Sequence, residues 1–217
     1  MRGSTPVTAV YLVRHGQTLW NREQRFQGQL DVPLSDVGKR QATALAAWLR
    51  QHAPFGAIYT SDLARAAQTV AAIGRQVGLT PVPVPALREI QCGDWSGLSV
   101  ADIEQLYPGH LRAWRDAAHR FTLPGGESVR DVQRRVVSFF SEAVRCHRGD
   151  SIIVVAHGVA LAALLAALQR WNLREAWREG RGSMSNTGVT IIHWDQEAET
   201  CSMPLFNSLT HLVGLPE

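Results

Sequence analysis

The chain has 217 residues, is 45% hydrophobic and 19% charged, and carries 22 Lys plus Arg against 19 Asp plus Glu. This composition excludes disorder as the dominant state, and the length points to a single domain over residues 1–217 with a sizeable core. The net charge of +3 is spread evenly, with 10 basic and 8 acidic residues in 1–108 and 12 and 11 in 109–217, which excludes a basic nucleic-acid tail.

Of the basic residues only Lys39 is lysine. A GC-rich coding sequence explains most of that bias, while the functional alternative is a need for the planar guanidinium fork that grips phosphates and carboxylates. Cys92, Cys146 and Cys201 form no CxxC pair, so neither a disulfide scaffold nor a thiolate zinc site is expected and a reducing cytoplasm is the default.

In chain order, Val7 to Val13 reads as a central strand covered on both faces, too short and too poorly flanked for a signal peptide. Residues 14–34 form a long loop of the kind that usually carries function. Ser35 caps a helix to about Gln51. Ala57 to Thr60 is a short strand, Ser61 caps the helix that follows, and Pro81 to Leu87 suits a sheet edge. Helices follow from Ser99, around Leu111 to Ala118, and from Ser128. Ser151 to Ala156 is a second buried strand running into an apolar helix to about Arg170. The run Ile152 to Leu168 is broken by His157-Gly158 and is not a membrane span. Gly188 to Trp194 and Cys201 to Phe206 pair as a late hairpin. Strands alternating with helices predict an α/β three-layer sandwich, a mixed, mostly parallel sheet with helices on both faces.

Sites in such sheets lie beyond the carboxyl ends of the strands. Two strands end there in His-Gly, at His15-Gly16 and His157-Gly158, each glycine expected to let a ligand approach the backbone. The histidines lack the spacing of a metal site. No G-x-S-x-G elbow and no nucleotide-binding glycine loop is present. A histidine nucleophile attacking phosphorus remains, with Arg14 beside it to hold the phosphoryl oxygens. Arg65 falls in the first turn of its helix, where the dipole disfavours a cation, so phosphate binding is read over an exposed pair with Asp62. A carboxylic acid must protonate the leaving oxygen and later serve as base. Glu89 is the candidate and Asp94 the alternative.

With those residues assembled, the chain resembles the histidine phosphatase superfamily, also called phosphoglycerate mutase-like. The likeness runs through Leu12-Val13-Arg14-His15-Gly16-Gln17-Thr18, Arg25-Phe26-Gln27-Gly28, Leu34-Ser35-Asp36-Val37-Gly38, Ser61-Asp62-Leu63-Ala64-Arg65, Leu87-Arg88-Glu89-Ile90, Gly93-Asp94-Trp95, Gly125-Gly126-Glu127-Ser128 and Val155-Ala156-His157-Gly158. It implies that His15 is phosphorylated in a pocket of Arg14, Arg65 and His157, and that Glu89 is proton donor and then base. It also implies phosphoryl contacts from Asn21, Gln27 with Gly28, and backbone N–H groups near Gly158. No metal or organic cofactor is implied. Leu98 to Glu127 is compact and lacks the arginine pair of the cofactor-dependent mutases, for which Arg112 and Arg115 are partial substitutes, so the resemblance is to the phosphatase branch. The alternatives are a phosphoglycerate mutase and a non-catalytic phosphate-binding module. The expected partner is a small phosphorylated metabolite (a phosphoglycerate, sugar phosphate or nucleoside-like phosphate), with no nucleic acid and no membrane, and a homodimer is left open. Trp20, Phe26, Trp95, Tyr107, Trp114 and Phe121 are candidate walls above the phosphate.

Overall fold

The computed structural model describes residues 7–215 except residue 53. Its centre is a six-stranded sheet in the order β3-β2-β4-β1-β5-β6, with β1 Val7–Arg14, β2 Ala57–Thr60, β3 Val82–Pro83, β4 Ser151–Ala156, β5 Val189–Asp195 and β6 Thr200–Ser208. The pairings β1–β4, β2–β4 and β2–β3 are parallel, and β5 runs antiparallel to both β1 and β6. The late hairpin thus closes one edge of an otherwise parallel sheet. At the opposite edge, the prolines limit β3 to two residues.

Alternation along the strands divides the core into two layers. Val10, Leu12, Ile152, Val154 and Ile192 pack on one face with α6 (Val129–Cys146) and α7 (Gly158–Leu168), and Val13, Ile58, Ile153 and Val155 pack on the other with α2 (Asp36–Arg50) and α3 (Ala64–Val77). This is the expected three-layer α/β sandwich. The short helices α4 (Val100–Leu106), α5 (His110–Ala117) and α8 (Leu173–Arg178) contribute Ile103, Leu111 and Trp177 to the first layer. A four-residue helix, α1 (Leu19–Arg22), interrupts the loop after β1. Among the described residues no helix is long and apolar enough to cross a membrane.

Ser35 caps α2 as expected, accepting the Gly38 N–H, and Ser99 and Ser128, the expected helix starts, likewise accept the backbone N–H three residues on. Ser61 does not cap α3. Its hydroxyl accepts from Leu63, and the first N–H of the helix, on Ala64, is taken at 2.6 Å by Asp31 from the loop after β1. A carboxylate remote in sequence therefore ties that loop to the start of α3.

Gly16 also differs from expectation. A Cβ there would lie 2.7 Å from the carbonyl of Gly38, and a Cβ on Gly38 would strike the carbonyl of Gln17. These glycines let the first turn of α2 sit against the end of β1, rather than opening Gly16 to a ligand.

Candidate active site

The parallel register of β1 and β4 decides where the histidines meet. Arg14 pairs with Ala156, and the N–H of His15 donates to the Ala156 carbonyl at 3.0 Å. His15 and His157 leave adjacent strands at the same level, with ring centroids 5.0 Å apart, and both rings are buried.

Their hydrogen bonds assign opposite tautomers. Nδ1 of His15 lies 2.7 Å from the Gly16 carbonyl, which can only accept, so the proton is on Nδ1 and the Nε2 lone pair is available. In His157, Nδ1 accepts from Nε of Arg65 at 3.1 Å, which places the proton on Nε2. That atom is buried with no partner among the described residues. One ring offers a lone pair and the other an N–H.

Burial, then the charges of Arg65 and Arg14, holds His15 well below the usual histidine range, and burial followed by Arg65 does the same for His157. Both rings are therefore neutral at pH 7. The unfolded chain protonates them near pH 6.5 while the folded chain does not, so the unfolded state binds more protons below that pH. Stability is expected to be fully present above about pH 6.5 and to decline as pH falls from there toward the depressed folded values. Thermal melts from pH 7.5 to 5 test this, and a Tm that rises on acidification contradicts it.

The arginines are committed differently. Arg14 donates through Nη1 to the Met184 carbonyl at 2.5 Å, and its Nε is buried without a partner among the described residues. Arg65, 1% exposed, donates to the carbonyls of Leu30 (2.9 Å) and Gly28 (2.7 Å) as well as to His157. Burial pulls its guanidinium down to about 10, opposed by the Glu89 and Asp31 carboxylates, so it stays charged. Three of its five N–H donors are held by protein, leaving one hydrogen on each Nη for a phosphoryl group. Asp62, the alternative partner weighed for Arg65, instead pairs with Arg88.

Glu89 reaches the site from the segment that follows β3. One carboxylate oxygen accepts from Ile90 (3.0 Å) and Ala160 (3.3 Å), the other from Val159 (3.2 Å). It therefore sits over the first turn of α7, where it takes N–H groups that have no partner within the helix. Gly158 stands between the groups, and a Cβ there would lie 3.6 Å from the Arg14 guanidinium carbon and 3.7 Å from Glu89 Oε2. Asp94 is exposed in the turn Gly93–Trp95 and does not line the site.

Asn21 and Gln27 close the loop side. Asn21 Oδ1 accepts from the Thr18 N–H (3.0 Å) and from Asn186 Nδ2 (3.2 Å), and Gln27 Oε1 accepts from the Thr18 hydroxyl (3.0 Å). Both side chains line the cavity next to His15. Asn186 was not legible in the sequence. It also donates to the His15 carbonyl at 3.1 Å and so ties nucleophile and amide together. Asn186→Asp replaces this donor by an acceptor, and kcat/KM is expected to fall about 10- to 100-fold at neutral pH. Acidification should restore part of the loss as the new carboxyl protonates, whereas Asn186→Ala should show no such recovery. A pH–rate profile parallel to wild type in both variants contradicts the assignment.

Arg14, His15, Asn21, Gln27, Gly28, Arg65 and Glu89 line a cavity of about 180 Å3 together with Gln24, Arg25, Phe26, Cys92, Trp114 and Val159, while His157 is fully buried against His15. A larger cavity of about 500 Å3, lined by Gln17, Arg22, Val37, Gln41 and Leu212 among others, holds none of them. Of the candidate aromatic walls, Phe26 and Trp114 reach the site. Trp95 is fully buried beneath both, at ring-centroid distances of 5.4 and 6.1 Å. Arg112 and Arg115 are exposed and outside the cavity, with Arg112 facing Asp116 at 3.7 Å, so they do not substitute for a carboxylate-binding pair. Among the described residues, no group of three or more His, Cys, Asp or Glu could hold a metal ion.

The chain is similar to known phosphatases along most of its length. The chain is 35% identical over 186 residues to phosphoserine phosphatase 1 of Hydrogenobacter thermophilus, covering 85% of this chain and 86% of that one. It is 41% identical to the glucosyl-3-phosphoglycerate phosphatase of Mycolicibacterium vanbaalenii, over 75% and 74% of the two chains. A solved mycobacterial glucosyl-3-phosphoglycerate phosphatase in complex with VO3 superposes with a TM-score of 0.84 at 36% identity, over 92% of this chain and 99% of that one. The family model of the histidine phosphatase superfamily (branch 1) matches residues 10–204, and the chain belongs to that superfamily.

Proposed function

We propose that this protein is a phosphatase that hydrolyses phosphomonoesters of small metabolites through a phosphohistidine on His15, with Glu89 as general acid and base and no metal or organic cofactor. The observation that carries the reading is the pair of opposite tautomers. A neutral His15 with a free Nε2 lone pair faces a phosphoryl site where Arg14, Arg65 and the Nε2–H of His157 supply positive charge and a donor.

In the first step the Nε2 lone pair attacks phosphorus in line with the ester oxygen. The P–N bond forms, the P–O bond breaks, and the carboxyl of Glu89 gives its proton to the departing oxygen. Arg14, His157 and the remaining donors of Arg65 hold the equatorial oxygens as charge redistributes, joined by the amides of Asn21 and Gln27. In the second step Glu89, now a carboxylate, takes a proton from water as the water oxygen attacks phosphorus. The P–N bond breaks, the lone pair returns to Nε2, phosphate leaves, and Glu89 is again protonated.

Phe26 and Trp114 give the leaving group an apolar wall, which suits the carbon skeleton or ring face of a metabolite. The relatives' names place phosphoserine and glucosyl-3-phosphoglycerate first on a substrate panel, followed by sugar phosphates and phosphoglycerates. Phosphate release from that panel should be unaffected by EDTA. Turnover that requires added metal contradicts the reading, and phosphoglycerate isomer exchange faster than phosphate release would instead make the protein a mutase.

A further inference from the structure

The motif Gly125-Gly126-Glu127-Ser128 lies outside the cavity, yet its residues are built around the segment that carries Glu89. That segment runs between the 3-10 turns Pro85–Leu87 and Gly93–Trp95 with no helix or strand of its own, so its shape must be set from outside. Arg135 of α6 does this with all five guanidinium hydrogens. Nη1 donates to the carbonyls of Ala86 (2.8 Å) and Arg88 (2.5 Å), Nη2 to the carbonyl of Glu89 (2.9 Å) and to Glu127 (3.0 Å), and Nε to Glu127 (3.1 Å).

Glu127 completes the clasp. Its carboxylate also accepts the Gln91 N–H at 2.9 Å, and its own N–H donates to the Gln91 carbonyl at 2.9 Å. Gly126 permits that approach, because a Cβ there would strike the same carbonyl. Ser128 starts α6, whose second turn presents Arg135. From the loop after β1, Gln29 Nε2 donates to the Glu89 carbonyl at 3.1 Å. The backbone on both sides of Glu89 is thus fixed, and only then do its carboxylate oxygens reach Val159 and Ala160.

We propose that Arg135 and Glu127 are positioning residues for the proton transfer by Glu89, a proposal that rests on reading Glu89 as the general acid. A pair that merely holds the fold lowers turnover of every substrate alike. A pair that acts through the acid spares substrates that need no proton. p-Nitrophenolate is a weak base and leaves unassisted, whereas the alkoxide of glycerol is a strong base and must be protonated. kcat/KM is the right readout, since it reports the steps up to loss of the alcohol and excludes hydrolysis of the phosphoenzyme.

The experiment compares p-nitrophenyl phosphate with glycerol 1-phosphate in wild type, Glu89→Gln, Arg135→Lys and Glu89→Gln/Arg135→Lys. Lysine keeps the charge but cannot reproduce the planar fork. Glu89→Gln should lose about 100-fold or more on the alkyl ester relative to the aryl ester. Arg135→Lys should show the same selective loss at about 10-fold or more, and the double variant should show no further selective loss beyond Glu89→Gln. Glu127→Gln, which keeps the volume and an acceptor for Gln91, should show the pattern more weakly and carries the test if Arg135→Lys does not fold. Equal losses on both esters in Arg135→Lys or Glu127→Gln, beside a selective loss in Glu89→Gln, overturn the positioning role. A Glu89→Gln variant without selectivity overturns the acid and the positioning role together.

Discussion

His15→Ala is expected to lower turnover of every phosphomonoester by about 10^5-fold or more, the scale on which covalent hydrolases lose activity when the nucleophile is removed. No neighbouring group can take its place. His157 is the nearest imidazole, but its Nδ1 accepts from Arg65 and its Nε2 carries the proton, so it presents no lone pair to the phosphoryl site. Cys92 lines the cavity, but burial pushes its thiol up to about 12, which removes the thiolate at neutral pH. A second result separates loss of the nucleophile from loss of the fold. Wild-type protein quenched in denaturant during turnover should carry phosphate that is labile to acid and stable to alkali, as a phosphoramidate is, and His15→Ala should carry none while melting within a few degrees of wild type. Residual activity above about 1%, or label on another residue, excludes His15 as the nucleophile.

Why His15 was legible in the sequence and other residues were not follows from the range of the contacts. Continuous apolar runs marked β1 and β4, and the His-Gly at each end marked their outlet, because strand alternation and burial are local properties. Ser35 is likewise legible as a cap, since a cap acts within three residues, whereas Ser61 is displaced from that role by the sequence-remote Asp31. Asp31 capping α3, Asn186 bracing His15 and Arg135 clasping the Glu89 segment are contacts of 33, 171 and 46 residues' separation. Several of them end on backbone carbonyls, which every residue has and no sequence pattern distinguishes. The same limit applies to Gly16, where the sequence signals the need for a hydrogen side chain but the neighbour that requires it is Gly38 rather than a ligand. Trp114 and Trp95 look alike in sequence, and only the placement of α5 brings one to the cavity wall and buries the other. The short helix α8 leaves no signal in the sequence because six residues are too few for a periodic pattern.

Arg65 is the residue whose role changed most between sequence and structure, and its substitution carries the second large effect. Read from sequence it was a phosphate grip, and in the structure it is first a brace for the loop after β1 and for His157. Arg65→Met leaves the carbonyls of Gly28 and Leu30 and the Nδ1 of His157 without their donor in a buried site. At about 1 kcal/mol or more for each stranded acceptor, the cost is about 3 kcal/mol, and Tm should fall by roughly 6–12 °C for a chain of this size. Activity should fall by more than the loss of one phosphoryl contact, at least about 10^3-fold, because the His157 tautomer is no longer fixed. Loss of the cation and of the Nε donor also raises the His157 pKa toward the ordinary range, so the variant's residual activity should titrate where wild type is flat. Arg65→Lys should rescue little, since one ammonium cannot span Leu30, Gly28 and His157 at once. If Arg65→Lys keeps wild-type Tm and a tenth of the activity, positive charge alone suffices at this position and the bracing geometry is incidental. If it loses both together, the same three hydrogen bonds that order the loop also hold His157 as the donor that the phosphoryl group meets.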